Sequence, residues 1–226
     1  MPKNSQTPYN LLCVAHPDDE TLFFGGLLQR QKGNWRVVCV TDANADGQGA
    51  MRRKQFEKAM RLLGVAHNDW LGFPDIYENR LDVDRLINEL RSLPAPKEIY
   101  THGILGEYGH PHHQDVSYSV HEAFPASERL YSSAYNAFPE VKIALSQKEF
   151  ELKCRILTEV YGTETSRFLN LLPATSSEGF VKLDRKEVRA IYDFVAHNEP
   201  LKTRQLKTYR WLTEFISTHR AFPRPF

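Results

Sequence analysis

Leu11-Leu12-Cys13-Val14-Ala15-His16-Pro17-Asp18-Asp19-Glu20, followed by Thr21-Leu22-Phe23-Phe24-Gly25-Gly26-Leu27-Leu28, decides the fold. Leu11–Ala15 is a short, continuous apolar run, as expected of a strand buried on both faces. Apolar residues then recur at helical spacing from Thr21 to Lys32, with Gly33-Asn34 as a stop. Working outward, Arg36–Val40 reads as a second buried strand, and Thr41–Gly49 as a loop rich in Gly, Asp and Asn. Met51–Leu63 is amphipathic, with Phe56, Ala59, Met60 and Leu63 on one face and Gly64 placed to cap it. A third strand is expected around Asp69–Leu71, a helix over Leu81–Leu93 stopped by Pro94-Ala95-Pro96, and a fourth strand over Glu98–Thr101. The Gly- and His-rich stretch His102–His113 follows, then helix to about Ala123.

Apolar strands alternating with helices predict an α/β fold: a Rossmann-like three-layer sandwich, its sheet mostly parallel with helices on both faces. After Ser133 the pattern turns helical, over Lys148–Tyr161, Lys186–Ala196 and part of Lys202–Thr218. Residues 1–226 are expected to form a single unit, with a core of about 9–180 and a helical C-terminal portion of about 181–226. Whether that portion packs on the core or stands off it is left open.

The composition excludes several classes. A formal net charge of +1, from 29 basic and 28 acidic residues, gives no field for nucleic acid or an acidic membrane. No apolar stretch reaches membrane-spanning length, and the polar start MPKNSQTPYN lacks the apolar segment of a signal peptide. Cys13, Cys39 and Cys154 form no C-x-x-C pair, and the first two sit in strand-like runs as small buried hydrophobes. A soluble cytoplasmic protein is expected.

In an open parallel sheet, ligands bind outside the carboxyl ends of the strands. A nucleotide-binding chain places glycines in its first strand-to-helix turn; here the turn carries His16, Asp18, Asp19 and Glu20. These carboxylates repel a phosphate but suit a cation, and imidazole with carboxylate ligates zinc and other first-row divalent metals. Helix capping by Asp18 or Asp19, with Glu20 near the positive end of the helix, is the structural alternative. A second cluster, His102-Gly103-Ile104-Leu105-Gly106-Glu107-Tyr108-Gly109-His110-Pro111-His112-His113, follows the fourth strand and so reaches the same end of the sheet. Together the two segments supply the two histidines and one carboxylate of a hydrolytic zinc site.

Ala15-His16-Pro17-Asp18-Asp19-Glu20 with Tyr108-Gly109-His110-Pro111-x-His113 resembles the PIG-L/LmbE-like N-deacetylases. The likeness extends to Arg52-x-x-Gln55-x-x-x-Ala59-x-x-x-Leu63-Gly64-Val65 and Leu71-Gly72-Phe73-Pro74-Asp75, covering about residues 9–123 with a trace at Glu178-Gly179-Phe180. The resemblance implies that His16, Asp19 and His113 hold the metal and that Asp18 is the general base. It gives His110, when protonated, the oxyanion or the leaving amine, and Tyr108 the substrate carbonyl. Arg52, Asp75 and His112 become candidates for substrate contacts. Zn²⁺ is the expected ion; two histidines and a carboxylate also describe a ferrous triad, so Fe²⁺ is the other metal the set admits. The family usually has Asp where this chain has His112, which leaves the charge partner of His110 open, and Gln55 stands in place of a frequent Glu.

The implied substrate is a small N-acetylated amino sugar, hydrolysed to amine and acetate, with no nucleic-acid partner, no membrane span and oligomerisation undecided. The alternatives are an amidase acting on a non-sugar amide or thiol conjugate, and a non-catalytic glycan-binding relative. Asp42, Asn44 and Asp46 could meet sugar hydroxyls or merely form a solvated turn. Trp35, Trp70 and Trp211 are expected to pack rather than to stack on sugar, and His67, His121, His197 and His219 belong to no constellation.

Overall fold

A computed structural model describes residues 8–30, 34–77, 79–166 and 171–218. The first run becomes β1 (Asn10–Val14), and the turn after it leads into α1 (Asp19–Arg30). Then follow β2 (Trp35–Thr41), α2 (Gly49–Leu63), β3 (His67–Phe73), α3 (Val83–Arg91), β4 (Glu98–Thr101) and α4 (Pro111–Ala123). The second half contributes β5 (Leu130–Ser133), β6 (Val141–Ala144), α5 (Gln147–Glu159), α6 (Gly162–Thr165), β7 (Ser177–Val181), α7 (Arg185–His197), a 3₁₀ turn at Thr203–Gln205 and α8 (Trp211–Thr218). The expected helix stop at Gly33, the polar start 1–7 and His219 lie outside the described residues.

The sheet order is β3-β2-β1-β4-β5-β7-β6. β3 through β5 are parallel, whereas β7 runs antiparallel to both β5 and β6. The expected three-layer sandwich is therefore present. Leu12 and Val14 point into a cluster with Phe24, Leu28, Phe56, Met60, Ile156 and Leu157, which binds α1, α2 and α5 to one face. Leu11 and Cys13 point the other way, to Leu86, Leu90, Val116 and Val120 of α3 and α4. Because β1 is covered on both sides it has no polar face, which is why its sequence does not alternate. The amphipathic reading of α2 holds: Phe56, Ala59, Met60 and Leu63 are fully buried, and Gly64 caps the helix at φ 75°.

The C-terminal helices pack on the core. Tyr192 of α7 stacks on Tyr118 of α4 with ring centroids 3.9 Å apart and donates its hydroxyl to Asp115. Glu187 accepts the backbone N–H groups of Lys207 and Tyr209, which ties the segment after α7 back to it. β5, β6, β7 and the short α6 are absent from the sequence reading. Among the described residues no helix is long and apolar enough to cross a membrane.

Candidate metal and catalytic centre

β1 and β4 are neighbours in the sheet, yet the chain leaves β1 toward α1 and β2 and reaches β4 only after α3. At this switch in strand order the two following loops face one crevice. The first holds His16, Pro17 and Asp18, and α1 begins at Asp19. Asp18 adopts φ 100°, a conformation that side-chain-bearing residues rarely take. Its backbone is held there by local bonds: Asp18 N–H donates to Glu20 Oε2 at 3.1 Å, and Asp18 O accepts from Thr21 and Leu22. Glu20 also accepts from the Tyr161 hydroxyl at 3.0 Å. Of the three acidic residues in the turn, Glu20 is thus committed to scaffold; burial pushes its carboxyl up to about 7.

The second loop folds around Glu107. Oε2 faces Nδ1 of both His113, at 2.7 Å, and His102, at 3.1 Å, while Oε1 accepts Gly103 N–H at 2.9 Å. All three side chains are fully buried. Gly106 makes the loop possible: it sits at φ 72°, and a Cβ there would lie 2.5 Å from the His110 carbonyl oxygen. Burial disfavours the Glu107 carboxylate, but the imidazoles outweigh it and lower the group to about 2.

These contacts settle proton positions. A carboxylate only accepts, so His102 and His113 both carry their proton on Nδ1. Glu107 and Asp19 draw His102 toward the charged form, up to about 10 against its burial, but Ala15 N–H donates to His102 Nε2 at 3.0 Å. That hydrogen bond decides the matter, leaving His102 neutral with no lone pair to spare. His113 Nε2, in contrast, is buried with no hydrogen-bond partner and lies 3.4 Å from Asp19 Oδ2.

Asp19 Oδ2 is the hub. It accepts His16 N–H at 2.8 Å and lies 3.5 Å from His16 Nδ1. Two atoms bound to one tetrahedral zinc at about 2.0–2.1 Å lie about 3.3 Å apart, so both imidazole distances fit. The carboxylate–histidine arrangement behind His113 is the usual outer support of a metal ligand. His16 and His113 each lie beside Asp19 Oδ2, and the donor groups whose atoms converge among the described residues are His16 with His110 and His113, Asp19 with His102 and His113, and His16 with Asp75 and His112. Burial disfavours the charged form of His16, yet hydrogen bonds to Asp19 and Asp75 push it up to about 9. Asp19 is held well below the usual carboxylate range, since His113 and His102 outweigh its burial.

His110 is the N-cap of α4, and its Nδ1 accepts His112 N–H at 3.2 Å, which leaves its proton on Nε2. Burial and the nearby His113, His16 and His112 hold it far below the ordinary histidine range. This geometry favours a neutral Nε2–H donor over the protonated His110 of the sequence reading.

A cavity of about 450 Å³ opens over these groups, lined by His16, Asp18, Asp19, Tyr108, His110 and His112 at its base. Asp46, Arg52, Asp75, Tyr77 and Glu164 form its wall. Arg52 is there as expected, but its Nη2 already contacts Asp46 at 2.8 Å and Glu164 at 2.7 Å. Asp42 and Asn44 serve the turn: Asp42 Oδ1 accepts from Asn44 and Asp75, and Asn44 Oδ1 accepts from Gly49. Trp35 is fully buried and edge-on to Tyr100, and Trp70 leans on Phe56. Sequence reasoning missed Glu107, His102 and Glu164. For Glu107 there was a signal, an acid among the histidines and glycines of its loop; Glu164 is far from every motif.

Residues 11–124, half of the chain, match the family model described as PIG-L, GlcNAc-PI de-N-acetylase. The 1D-myo-inositol 2-acetamido-2-deoxy-alpha-D-glucopyranoside deacetylase 2 of Saccharopolyspora erythraea is 25% identical over 159 residues, 54% of this chain and 58% of its own. The N-acetylglucosaminyl-phosphatidylinositol de-N-acetylase of Bos taurus is 29% identical over 121 residues, covering 49% and 48%. The chain thus spans about half the length of these curated relatives. Among solved structures, N,N'-diacetylchitobiose deacetylase from Pyrococcus horikoshii superposes with a TM-score of 0.54 at 20% identity, covering 77% of this chain and 84% of that one, and so shares the fold. With the match running from β1 through α4 and both loops of the crevice inside it, the chain belongs to the PIG-L de-N-acetylase family.

Proposed function

We propose that this chain is a metal-dependent hydrolase that removes the N-acetyl group of an amino sugar, an N-acetylglucosamine derivative. The observation that carries the proposal is His113 Nε2: a buried nitrogen with no hydrogen-bond partner among the described residues, 3.4 Å from Asp19 Oδ2 and backed by Glu107, behind a cavity that Asp19 and His16 line. His16, Asp19 and His113 would hold Zn²⁺, with Fe²⁺ the other ion this donor set accepts. When bound, such an ion acidifies water toward a pKa of about 7 and polarises a carbonyl.

Asp18, in the cavity and outside the ligand set, takes the proton from water as its oxygen attacks the acetyl carbon. Charge then develops on the carbonyl oxygen. His110 Nε2–H donates to it, and the Tyr108 hydroxyl, half-exposed at the cavity's edge, is the second donor. The C–N bond breaks as the proton on Asp18 passes to the nitrogen, giving a free amine and acetate. Neutral His110 acts here as a donor; the proton reaching nitrogen is the one Asp18 removed. Asp75 and the Asp46–Arg52–Glu164 wall are placed to hydrogen-bond ring hydroxyls.

The test is acetate release by zinc-loaded protein from N,N'-diacetylchitobiose, N-acetylglucosamine and an N-acetylglucosaminyl inositol, beside N-acetylated amides without a sugar. Turnover of at least one sugar, lost in Asp18→Asn with zinc retained, is expected. Turnover of the plain amides alone would make the chain a general amidase, and a zinc-loaded chain that hydrolysed nothing would refute the catalytic reading.

A further inference from the structure

His112 is 2% exposed, and both of its ring nitrogens are engaged. Nε2 lies 3.0 Å from the Asn79 carbonyl oxygen, and Nδ1 lies 3.1 Å from His16 Nε2. A carbonyl can only accept, so the proton of His112 is on Nε2, and Nδ1 is left as an acceptor. The hydrogen between the two rings must then belong to His16 Nε2, with Asp75 Oδ1, 3.7 Å from that atom, as a weaker second acceptor. A neutral His16 with its proton on Nε2 has its lone pair on Nδ1, the atom that faces Asp19 Oδ2 at 3.5 Å.

We infer that His112 is a positioning residue: through the relay Asn79 O, His112, His16 it fixes the His16 proton on Nε2 and turns the Nδ1 lone pair toward the metal position. The inference rests on the metal reading proposed above. It also removes His112 from the substrate contacts, because it has no ring donor or acceptor to offer a sugar hydroxyl. Aspartate at this position could accept from His16 but could not donate to Asn79, so the imidazole and the Asn79 carbonyl work as a pair. His113 and His16 then receive the same treatment from opposite sides: an acceptor holds the far nitrogen's proton and leaves the near nitrogen bare.

The experiment compares parent protein with His112→Leu and His112→Gln. Metal-free chains are titrated with Zn²⁺ against a chromophoric chelator, and solvent exchange of the His16 Nε2–H is followed by ¹⁵N NMR of the zinc-loaded chains. Urea midpoints report folding. Leucine fills the space without an acceptor, so zinc affinity falls about 10- to 100-fold and the Nε2 proton exchanges faster. Glutamine can accept from His16 through its oxygen and donate to Asn79 through its nitrogen, so it restores affinity to within about threefold of the parent and slows the exchange again. Parent chain that binds zinc one-to-one while His112→Leu matches it within twofold overturns the relay and leaves the metal reading standing. Glutamine no better than leucine, in chains of equal urea midpoint, also overturns it. A parent chain that takes up no zinc overturns both.

Discussion

Lys153→Met removes the cation from a fully buried pair. Lys153 Nζ lies 2.8 Å from Glu178 Oε1, and the two side chains are 0% and 1% exposed. Glu178 also accepts the N–H groups of Gly26 at 2.7 Å and Leu27 at 2.9 Å, so one carboxylate on β7 ties together α1 and α5. The glycine at 26 also lets Leu145 of the strand-to-helix segment pack close, since a Cβ there would stand 2.6 Å from the Leu145 side chain. Breaking a buried pair by removing one partner typically costs about 3–5 kcal/mol. With two backbone donors still on the carboxylate, Lys153→Met falls near the lower end, about 3 kcal/mol. Glu178→Leu strands an ammonium and the two N–H groups and falls near the upper end, about 5 kcal/mol. The double variant strands only the two N–H groups and costs about 1–3 kcal/mol. Urea unfolding of the four proteins should therefore give a coupling of about 5–7 kcal/mol. Single variants each costing under about 1 kcal/mol, or losses that add within about 0.5 kcal/mol, would show that the pair is not the clamp its geometry describes.

Glu107→Gln keeps one acceptor for three donors, and zinc affinity measured by chelator competition should fall about 10- to 100-fold while the protein stays folded. Zinc must displace the proton that Asp19 and Asp75 hold on His16 up to about 9, so affinity should rise about tenfold per pH unit between pH 6 and 8 and level off above 9; a flat profile would contradict it. Asp18→Gly relieves the φ of 100° and should raise thermal stability while abolishing acetate release, whereas Asp18→Asn abolishes release without that gain. Burial opposes the Glu122 carboxylate, but Arg189 and Arg185 lower it to about 2 from 4.5, so its stabilisation is complete above pH 4.5 and is lost as pH falls toward 2. Because the arginines are half-exposed, Glu122→Gln should cost about 1–2 kcal/mol at pH 7 by urea titration and nothing at pH 2.

The parallel half of the fold was legible because each of its strands is buried on both faces and therefore continuous in the sequence, as Leu11–Ala15 shows. β6 and β7 were not. β6 carries Lys142 on an exposed edge, and β7 places Glu178 in the interior, where only Lys153 of α5 explains it. A charged residue inside a short strand reads as loop until its partner is known. The trace Glu178-Gly179-Phe180 was noticed for its likeness alone; its physical content is the clamp on α1. At the site, the convergence of the His16–Asp19 turn and the His110–His113 segment could be read from two motifs, since each follows a strand and the sheet brings such loops together; only the family resemblance singled out His16, Asp19 and His113. Their proton states could not, because these depend on Ala15 N–H, the Asn79 carbonyl and Glu107, which no spacing rule connects.

A cluster of histidines in sequence says little by itself, since an imidazole can donate, accept or ligate from either nitrogen. Here the backbone and one carboxylate remove that freedom ring by ring. Ala15 N–H occupies His102 Nε2, His112 N–H occupies His110 Nδ1, and the Asn79 carbonyl claims the proton of His112. Glu107 claims the protons of His102 and His113. Two nitrogens face Asp19, His113 Nε2 and His16 Nδ1, and one N–H is left toward the cavity, on His110. On the proposed reading, five chemically identical side chains take three different jobs: two ligands, one donor and two supports. A set of partners that constrains these rings and turns two of them toward one carboxylate oxygen is what the proposed metal site rests on. Packing alone would have favoured apolar residues over three buried imidazoles, His102, His112 and His113, whose ring nitrogens each need a partner.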